Sequence, residues 1–264
     1  MDFGTTKMIA RTQGGIGWMI FNQPEKHNAV SYEMWLAVPK IMAAFEADPA
    51  VRVIVLAGAG ERAFVSGADI SEFEEKRESA EAIKIYDEAG NAAHAALNAA
   101  LKPTISMIRG ICIGGGLAIT LSTDLRICST DSLFAVPAAR LGLGYRYSGI
   151  KKLVDIVGPA FAKGIFFTAG KFTAEDARIM GLVNRVVPPA ELEAHVERIA
   201  STISNNAPLT IKAAKLAINA AADDPDNRRF GDIDEAIKAC FASADYIEGR
   251  RAFMAKRKPM FKGR

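Results

Sequence analysis

The stretch KPTISMIRGICIGGGLAITL, residues 102–121, carries the strongest signal for the architecture of this chain. Its apolar first half predicts a strand, the glycines Gly114, Gly115 and Gly116 predict a turn, and the apolar residues after them predict the start of a helix. The segment RAFVSGADI, residues 62–70, has the same order of strand, small residues and helix start. Because glycine lets a ligand approach the backbone closely, the two segments predict an oxyanion hole with two N–H donors. The alternative is that the glycines serve only close packing.

Strands alternate with helices on both sides of this stretch, which predicts an α/β fold with a largely parallel sheet. The apolar pattern predicts strands over residues 15–21, 51–57, 102–113, 125–129 and 181–187. It predicts helices over residues 31–47, 80–100, 150–157, 173–180, 190–205, 209–222 and 233–255. Helices dominate after residue 195, so we predict a core over 1–195 and a helical extension over 196–264.

The composition excludes several classes of function. The chain has 264 residues, half of them hydrophobic, and a net charge of +3, which is too small to predict nucleic-acid binding. The sequence has neither a dinucleotide-binding fingerprint nor a phosphate-binding loop, and its three cysteines lack metal-ligand spacing. We see no signal peptide and no apolar run long enough to span a membrane, so we expect a protein of the reducing cytoplasm.

Several short motifs occur in an order that resembles one family over nearly the whole chain. They are NQPEKHNA (22–29), SGADI (66–70), the glycine triplet, STD (122–124), FFTAG (166–170), residues 177–187 and KRKP (256–259). In these motifs the chain resembles the crotonase superfamily, also called the enoyl-CoA hydratase/isomerase family. The resemblance implies a crotonase (ClpP-like) fold of repeated ββα units, with near-perpendicular sheets and a C-terminal helical extension that builds trimers or hexamers. It also implies an acyl-CoA thioester as substrate, and no cofactor beyond the CoA of that substrate.

The resemblance also implies a set of site residues. The oxyanion donors would be the backbone N–H groups of Ala68 and Gly115. The CoA moiety would be held near Lys26, Ala29, Ala68, Asp69 and Ile70, and Phe253 and Lys256, from the same or a neighbouring subunit, would close over the nucleotide.

The chain departs from the family at its proton-handling positions. Hydratases of the family use two glutamates, and the matching positions here are Ala118 and Ala138. A dienoyl-CoA isomerase needs an acid where this chain has Arg146. A methyl group cannot transfer a proton, and general acid–base catalysis typically contributes about 10²–10⁴ in rate. We therefore expect weak hydration.

A different chemistry is indicated by LGLGYRYSGI, residues 141–150, which resembles a loop of methylmalonyl-CoA decarboxylases that carries a tyrosine at the position of Tyr145. Decarboxylation needs an oriented carboxylate and an oxyanion hole, so Tyr145 and Arg146 are candidate catalytic residues. Either residue could instead be structural. We expect His94 to be a packing residue and Asp69 to cap the helix after it.

Three functions stay open from the sequence. The first is a lyase or isomerase that stabilises a thioester enolate without the glutamate pair. The second is a hydratase that recruits another acid, such as Glu72 or Glu75. The third is an inactive acyl-CoA-binding protein. An entirely apolar lining of the acyl pocket would favour the third. Tyr145 and Arg146 pointing at the thioester would favour the first, and a carboxylate within hydrogen-bond reach of the acyl β-carbon would favour the second.

Overall fold

The computed structural model describes residues 3–72 and 80–264, with the backbone alone described at residues 70 and 80. The strands are β1 (Met8–Gln13), β2 (Ile16–Phe21), β3 (Val53–Gly58), β4 (Ala63–Val65), β5 (Thr104–Ile108), β6 (Ile111–Ile113), β7 (Leu125–Ser129), β8 (Leu133–Ala135), β9 (Phe172–Thr173) and β10 (Arg185–Val187). The helices are α1 (Tyr32–Ala47), α2 (Ala80–Asn98), α3 (Gly115–Thr120), α4 (Ala138–Leu141), α5 (Tyr147–Thr168), α6 (Ala174–Ile179), α7 (Leu192–Ser204), α8 (Pro208–Ala222), α9 (Phe230–Ala242) and α10 (Ala244–Met254).

The strands form two sheets. The larger sheet has the order β1-β2-β3-β5-β7-β10, with β1 antiparallel to β2 and every other pair parallel. The smaller sheet has the order β4-β6-β8-β9, with only β8 and β9 antiparallel. Strand β3 (VIVLAG) is almost entirely buried, as expected for a parallel strand that is covered on both faces. The predicted α/β architecture with a largely parallel sheet is confirmed.

The two faces of the larger sheet pack against different helices. One face joins the main core, to which α1 contributes Met34, Val38 and Ile41, each fully buried. The opposite face packs against α7 through Leu192 and Val196. The predicted boundary between residues 195 and 196 falls inside α7, and the division of the chain stays a prediction.

Two predicted elements are each split in the structure. The apolar run 102–113 forms β5 and β6, which belong to different sheets. The split occurs at Gly110, whose φ is +61° and whose Cβ, if present, would lie 2.2 Å from the carbonyl oxygen of Arg62. Similarly, the predicted helix 233–255 forms α9 and α10, because Ser243 leaves the helical conformation and its hydroxyl accepts the Tyr246 N–H.

The capping box that begins α6 is confirmed, since Thr173 and Asp176 exchange side-chain and backbone hydrogen bonds. Cys112 and Cys128 are buried, and burial raises the pKa of both thiols, to about 12 for Cys128. Within the described ranges, none of the helices combines the length and the apolar character that crossing a membrane requires.

Candidate active site

The two small-residue segments come into direct contact where β4 ends and α3 begins. A Cβ on Gly116 would lie only 2.1 Å from the carbonyl oxygen of Val65, so only glycine allows this approach. A Cβ on Gly115 would lie 3.7 Å from the nitrogen of Ala68, and one on Gly67 would lie 4.0 Å from the nitrogen of Gly115. The structure therefore brings together the two backbone N–H groups that the sequence pattern pairs.

Neighbouring hydrogen bonds fix the backbone on both sides of Ala68. The Val30 N–H donates to the Gly67 carbonyl at 2.8 Å, and the Asp69 N–H donates to the Val30 carbonyl at 3.0 Å. The Ala68 N–H lies between these two bonds. In residues 3–72 and 80–264, neither this N–H nor that of Gly115, the first residue of α3, has an acceptor. For Gly115 this is expected, because the first N–H groups of a helix lack intrahelical acceptors. Both N–H groups are therefore available to a ligand oxygen.

Asp69 organises a polar cluster beside the oxyanion segment. One carboxylate oxygen accepts hydrogen bonds from Lys26 Nζ at 2.8 Å and Gln23 Nε2 at 3.1 Å, and the other accepts from the Ser71 hydroxyl and N–H. Burial opposes ionisation of the carboxyl group, but these hydrogen bonds outweigh it and lower its pKa to about 2. The expected cap is present as the Asp69–Ser71 bond at the short 3₁₀ turn, residues 70–72.

The remaining residues expected near CoA have different surroundings. Ala29 is buried and its carbonyl accepts the Gln23 side-chain amide. Phe253, in α10, is 83% exposed, and Lys256 follows that helix at the surface. In the described part of the chain, no hydrogen bond or ion pair joins Phe253 or Lys256 to Lys26 or Asp69. The role of these two residues at the nucleotide stays a prediction.

A cavity of about 210 Å³ lies beside Ala118, one helical turn along α3 from Gly115. Most of the residues that line it carry a polar side chain, and they come from α2, α3, the start of α5 and the adjoining loops: Asn91, His94, Asn98, Ala118, Leu121, Ser122, Tyr145, Arg146, Ser148, Gly149 and Lys152. Among the described residues that line it, none is a carboxylate. Ala138 is buried and does not belong to this lining.

His94 lies between the cavity and the oxyanion segment. Its Nδ1 is 3.2 Å from the Ser122 hydroxyl, and its ring centroid lies 5.6 Å from that of Trp35. Trp35 in turn would contact a Cβ on Gly115 at 3.7 Å. Burial, together with the nearby charge of Lys152, lowers the pKa of His94 to about 4. The imidazole packs as expected, and it is also a neutral polar group of the cavity wall.

Tyr145 and Arg146 both line the cavity but differ in what holds them. The Tyr145 ring packs edge-on against Phe166 with centroids 5.0 Å apart, and burial raises the pKa of its hydroxyl. The exposed Arg146 guanidinium donates to Asp87 at 2.8 Å. The structure thus places both residues at the cavity, with the Arg146 charge already paired.

Of the two alternative acids named from the sequence, Glu72 does not line the cavity. The Glu72 carboxylate accepts the Tyr32 N–H at 2.8 Å at the start of α1, where an acidic group stabilises the helix N-terminus. Glu75 lies outside the described residues. Over residues 3–72 and 80–264, no cluster of three or more His, Cys, Asp or Glu side chains is arranged to hold a metal ion.

Comparisons with known proteins agree on the family. The enoyl-CoA hydratase/isomerase family model matches residues 11–264. The chain belongs to this family. It is 34% identical to the short-chain-enoyl-CoA hydratase of Clostridium acetobutylicum, with 95% of each chain covered. It is 30% identical to the peroxisomal Delta(3,5)-Delta(2,4)-dienoyl-CoA isomerase of Arabidopsis thaliana, with 98% of each chain covered.

Solved structures agree as well. An enoyl-CoA hydratase/carnithine racemase from Magnetospirillum magneticum superposes with a TM-score of 0.93 at 33% identity, covering 99% of this chain and 97% of the other. The expected crotonase fold and the membership of the crotonase superfamily are confirmed. The relatives carry the names of different reactions, so the family alone does not specify the reaction of this chain.

Lys152, which lines the cavity, carried no prediction from the sequence, and His94 was predicted only as a packing residue. A signal for His94 was present, because Asn91, His94 and Asn98 have the spacing i, i+3, i+7 and so form a polar stripe on an alanine-rich helix. Lys152 carried no such signal, since one lysine on an amphipathic helix is normally solvated.

Proposed function

We propose that this enzyme binds an acyl-CoA thioester and stabilises its enolate with the N–H groups of Ala68 and Gly115. The observation that carries the proposal is the proximity of these two backbone donors, on segments whose close approach only a glycine at position 116 permits. When a thioester is converted to an enolate, negative charge develops on the carbonyl oxygen. Each preorganised donor at that oxygen is worth about 3–4 kcal/mol of transition-state stabilisation.

The methyl groups at positions 118 and 138 favour a lyase, of the decarboxylase kind, or an isomerase over an efficient hydratase. In a decarboxylation, the bond between the α-carbon and the carboxylate breaks and its electron pair forms the enolate. Carbon dioxide leaves, and the α-carbon then takes a proton from water. The step needs no protein base, so it suits a cavity whose described lining contains no carboxylate.

Tyr145 is the residue that we propose to orient the substrate carboxylate, because it lines the cavity and burial raises the pKa of its hydroxyl, which keeps the group protonated. Arg146 is a weaker candidate, since Asp87 already pairs with its guanidinium. The polar side chains in that lining also argue against the inactive binding protein, for which we expected an entirely apolar pocket.

A hydratase is the second candidate, and the names of relatives such as the Clostridium acetobutylicum protein favour it. On this chain it would need an acid that replaces the family's glutamates. Glu72 is occupied at the start of α1, and His94 is a weak base because its pKa is lowered to about 4.

We place the CoA moiety near Lys26, Ala29 and residues 68–70, where Lys26 is the local cation. The chemistry uses no cofactor beyond the CoA of the substrate. We further propose trimers, alone or paired into hexamers, built by the C-terminal helices. The apolar groove between α8, α9 and α10, lined by Phe241, Tyr246 and Phe253, supports such an interface, which would carry Phe253 and Lys256 to a neighbouring site.

The test is one panel of thioesters followed by mass spectrometry: crotonyl-CoA, methylmalonyl-CoA and ethylmalonyl-CoA. We expect loss of carbon dioxide from a malonyl-type thioester and slow hydration of crotonyl-CoA. The Ala118→Glu variant, which places a carboxylate at the cavity, should raise hydration. Wild-type hydration near the diffusional ceiling, about 10⁸ M⁻¹s⁻¹, would contradict the preference for a lyase.

A further inference from the structure

Lys152 holds a positive charge that the described part of the chain does not neutralise. The residue is partly buried on α5, and its ammonium group donates a hydrogen bond to the side-chain carbonyl of Asn98, a neutral partner. In residues 3–72 and 80–264, no carboxylate lies within ion-pair distance of this ammonium group. A partly buried, unpaired cation is costly to hold, and burial accordingly lowers the pKa of Lys152.

Two acidic groups near Lys152 are already paired with other cations. Asp155, one turn further along α5, accepts from Lys151 at 2.9 Å. Asp124 accepts from Lys215 at 2.7 Å. Both carboxylates border a second cavity that shares Lys152 with the first. Lys152 thus lines both cavities as a cation that has no ion-pair partner among the described residues.

Lys152 lines the cavity in which we place the acyl group of the substrate. Lys152 and Ala118 line the same cavity, and Ala118 follows the oxyanion donor Gly115 by one turn of α3. An acyl chain whose carbonyl oxygen is held by Ala68 and Gly115 would extend past Ala118 into this cavity. Two other basic side chains line this cavity. The His94 imidazole is neutral near pH 7, and the Arg146 guanidinium is paired with Asp87.

We propose that Lys152 binds a carboxylate on the acyl chain, so that the substrate class is dicarboxylyl-CoA thioesters. Asn98 positions the ammonium group, and the substrate carboxylate supplies the missing counter-charge. The inference rests on the proposed function, because it assumes that the thioester carbonyl occupies the Ala68–Gly115 site. A hydrogen bond between two charged groups is about twice as strong as a neutral one, so the carboxylate should be distinguished from a methyl group.

The experiment measures the affinity of unreactive, saturated thioesters in pairs of equal length. Succinyl-CoA is compared with butyryl-CoA, and glutaryl-CoA with valeryl-CoA, by calorimetry on the wild-type protein. We expect at least one dicarboxylyl thioester to bind about 10-fold or more tightly than its methyl-terminated partner. The preference should decrease as ionic strength rises.

Two variants assign that preference to Lys152. Lys152→Met should abolish it while leaving the affinity for butyryl-CoA within about threefold, and Lys152→Arg should retain it. The matched control is Lys163→Met, an exposed lysine beyond the kink at Gly158 in α5, which should behave as the wild type. If Lys152→Met does not fold, the affinities of the thioester pairs for the wild type and for Lys152→Arg still test the preference for a carboxylate.

The outcomes separate this inference from the function on which it rests. Equal affinity within both pairs would overturn the role of Lys152 and leave acyl-CoA binding intact. An unchanged preference in a folded Lys152→Met protein would also overturn it. Failure of all four thioesters to bind at millimolar concentration would overturn the proposed function itself.

Discussion

Replacement of Gly116 by alanine tests whether the close approach of β4 and α3 shapes the site. The added Cβ would lie 2.1 Å from the Val65 carbonyl oxygen and 2.9 Å from the Val65 carbonyl carbon. Ordinary carbon–oxygen contacts are about 3.3 Å or longer, so the two segments must separate by about 1 Å. Overpacking of this kind costs about 1–3 kcal/mol. Alanine is more favourable than glycine inside a helix by only about 0.5–1 kcal/mol. The net effect of the replacement is therefore a lower free energy of unfolding.

The neighbouring glycine provides the matched control. A Cβ on Gly115 meets its nearest atoms, including the Ala68 nitrogen and Trp35, at 3.7 Å, which is ordinary van der Waals contact. We therefore expect Gly115→Ala to be as stable as the wild type, or slightly more stable. Thermal unfolding at one fixed protein concentration compares the two variants, at about 2–4 °C per kcal/mol for a chain of this size. Equal melting temperatures for Gly116→Ala and the wild type would refute the packing argument.

Two further predictions concern pH. The carboxylate of Asp69, whose pKa is lowered to about 2 from the usual 3.8, should contribute about 2 kcal/mol of stability above pH 4 that is lost as the pH falls toward 2. Asp69→Asn should remove that contribution, and equal urea unfolding curves for variant and wild type at pH 7 would argue against it. Because the pKa of His94 falls from 6.5 to about 4, the unfolded chain takes up the proton first, and stability should decrease by up to about 3 kcal/mol as the pH drops from 6.5 to 4. His94→Asn should flatten this pH dependence, and an unchanged slope would show that other groups cause it.

Much of the fold could be predicted because the periodic apolar pattern reports burial directly. Strands β2, β3 and β7 and helices α1 and α8 lie within one or two residues of their predicted limits. The split at Gly110 could not be predicted in the same way. A continuous apolar run looks alike whether it forms one strand or two strands in different sheets, and the difference depends on a contact with Arg62 far away in sequence.

The sequence predicted only the part of the candidate site that consists of backbone N–H groups within short local motifs. The glycine triplet and the SGADI segment each mark a backbone feature, so Ala68 and Gly115 could be paired from the sequence. The cavity wall is different, because Lys152 and His94 come from helices about sixty residues apart in the sequence, and only packing brings them together. Pairing of Arg146 with Asp87 was hidden for the same reason.

The most direct test of the oxyanion hole is the acidity of bound acetoacetyl-CoA, a β-keto thioester whose enolate absorbs in the near ultraviolet. Two N–H donors at Ala68 and Gly115 should make the bound ligand ionise at a pH well below that of the free thioester. Ala68→Pro deletes one donor and should raise the pKa of the bound ligand by about 2–3 units, since one donor is worth about 2.7–4 kcal/mol. Tyr145→Phe, outside the donor pair, should leave it unchanged. A folded Ala68→Pro protein that binds acetoacetyl-CoA with the wild-type pKa would contradict the account.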